Sequence, residues 1–195
     1  MERLAKKAAY YLLFHGRIKK EDYHIYKYGI QTGIEMLLCL FISSIIAVYL
    51  KSFTEFCIFI AVFFSLRSYV GGLHFKRYTW CCICSCLVIS SVLVLSRYFN
   101  PAGYFSISIT IGIVWTIYKL APATAERQIQ DEAEAVYFSH QRRKILSYIV
   151  VFDMIFWFFN FTRYMSLIMY IMIVILSSML MELSRRDIRE NISKI

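Results

Sequence analysis

Residues 32–50 read TGIEMLLCLFISSIIAVYL and residues 53–66 read FTEFCIFIAVFFSL, with only Lys51-Ser52 between them. Two apolar runs so close together, with one basic residue at the joint, are read as helices that enter and leave a lipid bilayer. A full crossing takes about 20 residues. The second run has 14 positions and is interrupted by Glu55. It is therefore short, and its polar ends are expected in a protein-lined, wet cavity.

The rest of the chain repeats this pattern. Four further apolar runs occupy 80–96, 102–118, 145–159 and 164–181. The whole sequence of 195 residues is 59% hydrophobic and 17% aromatic, above the ~45–50% apolar share of an average soluble domain. Basic residues number 7 in 1–31, 3 in 67–79, 5 in 119–144 and 4 in 182–195, against one each at Lys51, Arg97 and Arg163. Every second connection is basic. Under the positive-inside rule this predicts an all-α, polytopic membrane protein with six transmembrane helices and both termini in the cytoplasm. It forms a single integral membrane domain over 1–195, with a basic N-terminal segment (1–30), a six-span bundle (32–181) and a cytoplasmic tail (182–195).

The net charge of +9 is thus spent on topology and on contact with anionic lipids, and nucleic acid is not an expected partner. The polar, basic start shows no signal-peptide pattern. Leu4, Ala8, Tyr11 and Leu12 recur at helical spacing among Arg3, Lys6 and Lys7, which predicts an amphipathic helix on the cytoplasmic membrane surface. The last two runs are uniformly apolar and read as lipid-facing support. The 119–144 connection, with Glu126, Asp131, Glu132 and Glu134 before Arg142-Arg143-Lys144, reads as a solvated helix. The outer connections at Lys51-Ser52, Arg97–Pro101 and Asn160–Arg163 are tiny, so chemistry is expected on the cytoplasmic side or within the membrane. Asn160-Phe161-Thr162 matches a glycosylation acceptor, which in so tight a loop is read as chance.

Chemistry-bearing residues gather at 67–86, RSYVGGLHFKRYTWCCICSC. A histidine at 74 and a cysteine at 81 are the types needed for a thiol nucleophile and its base. Seven residues along a straight helix return to nearly the same face, but lie roughly 10.5 Å apart along the axis. A nucleophile–base hydrogen bond spans about 2.6–3.2 Å. The pair can cooperate only if the chain between them departs from a straight helix, and Gly71-Gly72 permits a sharp turn just before His74. The alternative is that His74 is an ordinary loop histidine.

Four cysteines at 81, 82, 84 and 86 admit other readings. Cys81 and Cys84 have redox-pair spacing. Zinc ligation together with His74 lacks the second, separated ligand pair of structural sites. Cys82, Cys84 and Cys86 are read as small inert thiols, as are the isolated Cys39 and Cys57. A cytoplasmic-side position disfavours a stable disulfide. Arg67 is placed to clamp a carboxylate or support an oxyanion, or simply to anchor at the interface. Of the intramembrane acids Glu35, Glu55 and Asp153, only Glu35 has the depth to orient His74 or pair with Arg67.

Arg67, Gly71-Gly72, His74 and Cys81 resemble the Arg…Gly-Gly-x-His-x6-Cys signature of the accessory gene regulator protein B (AgrB) family. Tyr118-Lys-Leu-Ala121-Pro122 resembles its Ala-Pro element after the fourth span, although a further proline of that element is replaced here by Arg127-Gln128-Ile129. The resemblance covers nearly the whole chain. It implies a bacterial cell-membrane cysteine endopeptidase that cleaves a quorum-sensing propeptide and promotes thiolactone or lactone closure. In it Cys81 would be the nucleophile and His74 the base, supported by Arg67, Gly71, Gly72 and Glu35. No metal or cofactor is implied. The partner would be a small amphipathic, AgrD-like propeptide, and a homodimer is compatible with the reading. The residues alone also admit a thiol oxidoreductase using Cys81 and Cys84, or a small transporter, for which only Asp153 lies at mid-membrane.

Overall fold

The computed structural model describes residues 2–15, 22–70, 78–125 and 132–193. Among them are seven helices and no strand: α1 (Glu2–Phe14), α2 (Tyr23–Tyr49), α3 (Phe53–Val70), α4 (Tyr78–Tyr98), α5 (Gly103–Ala125), α6 (Glu132–Phe158) and α7 (Thr162–Ser193). α2, α3, α5 and α7 each carry a stretch long and apolar enough to cross a membrane. The apolar stretch of α4, Cys82–Tyr98, is shorter. The first half of α6 is charged, and its apolar remainder from Ile145 to Phe158 rises only about 21 Å at 1.5 Å per residue. The structure thus fits a membrane protein, with four helices qualifying as spans by length and composition where the sequence predicts six.

The N-terminal segment departs from the sequence expectation. The amphipathic element ends at Phe14, and the chain from Tyr23 already belongs to α2. α1 packs on α2, with Ala5 and Ala9, one turn apart, fully buried. Small side chains on that face let two helix backbones approach closely. Tyr10, Tyr11 and Phe14 remain exposed.

The role of the last helix is also corrected. α7 is central: it packs against α3, α4, α5 and α6. Met165, Leu167, Ile168, Ile171, Met172 and Ile175 are all essentially inaccessible. A helix apolar all round is equally suited to lipid and to a protein core, which is why composition alone assigned it to the lipid face. α6 does expose Val151, Phe152, Met154, Ile155, Trp157 and Phe158, as a lipid-facing helix would.

Two C-caps define one end of the bundle. At the end of α2, Lys51 has φ 51°, its amide donates to the Val48 carbonyl at 3.0 Å, and the Ser52 amide donates to Ala47 at 2.9 Å. At the end of α6, Asn160 has φ 56°, with Asn160 donating to Trp157 at 3.0 Å and Phe161 to Phe156 at 2.9 Å. Each is the paired 6→1 and 5→2 arrangement of a Schellman motif. Asparagine tolerates this left-handed conformation; lysine adopts it at some cost.

Side chains tie these short connections together. Arg97 at the end of α4 donates to the Leu50 carbonyl. Arg163 meets Glu55 at 2.7 Å and donates to the Ser52 hydroxyl at 3.2 Å. The Tyr170 hydroxyl donates to the Phe99 carbonyl at 2.9 Å. The three connections with a single basic residue each therefore share one end, leaving the end of α3 and the starts of α4 and α6 at the other.

Candidate active site

α3 ends with Leu66 and Val70 buried and Arg67 half-buried between them, its guanidinium 5.4 Å from the centre of the Phe63 ring. One turn apart on a helix, an arginine and a phenylalanine stack readily, and the ring face attracts the cation. Tyr69 meets Phe138 of α6 edge-on at 5.4 Å, so the end of α3 rests on the start of α6. Gly71, Gly72 and His74 lie outside the described residues. α4 then begins at Tyr78, which places Cys81 in its first turn.

α2 supplies the opposite wall. The Cys39 thiol lies 3.9 Å from the Cys82 carbonyl and 3.6 Å from the Cys86 thiol. The Ser43 hydroxyl lies 3.7 Å from the Cys86 thiol. Numbers rise together along the two helices, so α2 and α4 run parallel with a register offset of 43. That offset sets Glu35, one turn before Cys39, level with Tyr78 at the start of α4. Glu35 is half-buried and accepts a hydrogen bond from Gln31 Nε2 at 3.3 Å. The other two intramembrane acids sit elsewhere. Glu55 belongs to the Arg163 pair at the far end, and Asp153 is 1% exposed on α6.

Two features were missed by the sequence reading. Cys39 is not isolated, since it faces Cys82 and Cys86 across the helix contact. Arg142 does not sit on a solvated face: it is 3% exposed. It falls in register with the buried Leu146, Ile149 and Asp153, at spacings of four, three and four. That periodicity was available in the sequence, hidden because Arg142 sits in a run of charge with Arg143 and Lys144.

No curated protein and no solved structure matches the chain. The family model described as accessory gene regulator B matches residues 5–183. That span takes in all the candidate residues, from Glu35 through Arg67 to Cys81, and nearly all of the bundle. The chain belongs to the accessory gene regulator B (AgrB) family.

Proposed function

We propose that this chain, a member of a family that acts in agr quorum sensing, is a membrane cysteine endopeptidase that cleaves an autoinducer propeptide and closes its ring. What carries the reading is the place of Cys81. It lies in the first turn of α4, seven residues after His74, in a chain matched to the family over residues 5–183.

His74 takes the Cys81 proton, and the thiolate attacks the carbonyl that ends the signal segment. The tetrahedral oxyanion collapses, the C–N bond breaks, and the departing amine of the C-terminal tail leaves with the proton held by His74. The signal segment is then a thioester on Cys81. A cysteine thiol or serine hydroxyl within it attacks that carbonyl, closes a thiolactone or lactone, and returns the Cys81 thiol. Thioester exchange is nearly balanced, whereas hydrolysis runs downhill to a linear product. Excluding water is therefore part of the task, and a bundle with exposed apolar surface on α2 and α6 suits it.

Arg67 supports the oxyanion or holds a substrate carboxylate as a fixed cation. Glu35, level with the start of α4, orients His74, and Gly71-Gly72 provides the turn that brings the histidine back to the thiol. The active site lies on the cytoplasmic side of the cell membrane, and the three short, singly basic connections lie outside.

The test is co-expression with the propeptide encoded beside the gene, with products read by mass. Cys81→Ala and His74→Ala should each abolish cleavage, and the wild-type product should be lighter than the linear segment by one water. Cleavage retained in either variant would remove the assignment.

A further inference from the structure

We propose that Cys39, Cys82 and Cys86 form a binding site for a thiophilic metal ion, zinc or cuprous copper, that links α2 to α4. Their three sulfur atoms lie within 4.8 Å of one another, the Cys39–Cys86 pair at 3.6 Å. Three sulfurs bonded to one ion at about 2.3 Å stand roughly 4 Å apart in a trigonal arrangement. The observed separations are within a few tenths of an ångström to an ångström of that geometry, which small thiol rotations supply.

The ligands come from two places in the chain. Cys82 and Cys86 are one turn apart on one face of α4, and Cys39 projects from the parallel helix α2, 43 residues earlier. This is the separated ligand that the cysteine run of α4 lacks by itself. All three are half-buried rather than sealed. The Ser43 hydroxyl, 3.7 Å from the Cys86 sulfur, steadies one ligand from outside, as second-layer hydrogen bonds do. Sulfur ligands select soft ions over magnesium or calcium, which require oxygen.

Binding releases protons from the thiols that ligate as thiolates. Apolar surroundings favour a neutral complex: a divalent ion with two thiolates and one thiol, or a cuprous ion with one thiolate and two thiols. The site lies beside Cys81 in the sequence without including it. Its existence does not depend on the peptidase reading.

The test uses the full chain in detergent, carrying Cys81→Ser so that the neighbouring thiol contributes nothing. Cadmium, a spectroscopic stand-in for zinc, is titrated while the sulfur-to-metal ultraviolet band is followed; cuprous ion is titrated in parallel against a chelator. One ion per chain is expected, with affinity falling at least about tenfold in each of C39S, C82S and C86S but not in C57S or C84S. Binding of either metal with that pattern of variants supports the site. In the C81S chain itself, metal should slow maleimide labelling of Cys39, Cys82 and Cys86 selectively, as read by peptide mass, which needs no further variant to fold. Labelling equally fast with and without metal, or equal binding by C39S, would overturn the proposal.

Discussion

The Glu55 carboxylate lies 2.7 Å from Arg163 Nη2, and the same nitrogen donates to the Ser52 hydroxyl at 3.2 Å. Glu55 is 5% exposed, so the pair joins the start of α3 to the start of α7 in surroundings that penalise a lone charge. Arg163→Met leaves that carboxylate buried and unpaired. Breaking a buried pair costs about 3–5 kcal/mol; because Arg163 is itself 40% exposed, about 1–3 kcal/mol is expected after screening. Unfolding of the variants in detergent checks this. Glu55→Leu combined with Arg163→Met should recover most of the loss, whereas a double variant equal to the sum of Glu55→Leu and Arg163→Met would show the two side chains to be uncoupled.

The central place of α7 makes a contrast of core and surface. Leu167→Ala and Met172→Ala, at fully buried positions, should each cost about 2–5 kcal/mol. Phe158→Ala, at a side chain 83% exposed, should change stability by no more than about 0.5 kcal/mol. Equal losses at the three positions in an unfolding titration would return α7 to a peripheral role.

Tyr170 holds the α4–α5 connection by its hydrogen bond to the Phe99 carbonyl. Tyr170→Phe removes one hydrogen bond at constant shape, so about 1 kcal/mol should be lost. Hydrogen exchange should quicken in residues 99–105 and stay unchanged at the opposite end of the bundle. Uniform quickening would mean that the contact acts on global stability and not on the loop.

Convergence of the three short connections makes sidedness testable. In a cysteine-free chain, single cysteines placed at Asn100 and Phe161 should react with an impermeant maleimide added to intact cells. One placed at the exposed His140 position on the first half of α6 should react only after permeabilisation. The reverse labelling would invert the orientation read from basic charge.

The bundle's helices were largely legible in the sequence because lipid imposes long apolar runs punctuated by charge. Their ends were less so. Lys27 and several tyrosines mask the start of α2, so the sequence alone does not separate the chain from Tyr23 from the N-terminal segment. The first half of α6 carries too much charge to look like part of a bundle helix, yet Arg142 is buried there. Which apolar helix occupies the centre is a matter of packing, not composition, so the sequence alone does not single out α7. The motif Arg67, Gly71-Gly72, His74 and Cys81 rests on residue type and spacing, and Gly71, Gly72 and His74 lie outside the described residues. Cys39 beside Cys82 and Cys86 was not, since a contact 43 residues apart leaves no local pattern.

The thioester on Cys81 can be sought with a propeptide whose internal cysteine or serine nucleophile is replaced by alanine. Ring closure is then blocked, and the acyl-enzyme should accumulate. Intact-protein mass should rise by that of the signal segment less one water, the adduct should map to the Cys81 peptide, and hydroxylamine should remove it. Tail release with no adduct on Cys81, or with the adduct on another residue, would contradict nucleophilic attack by Cys81.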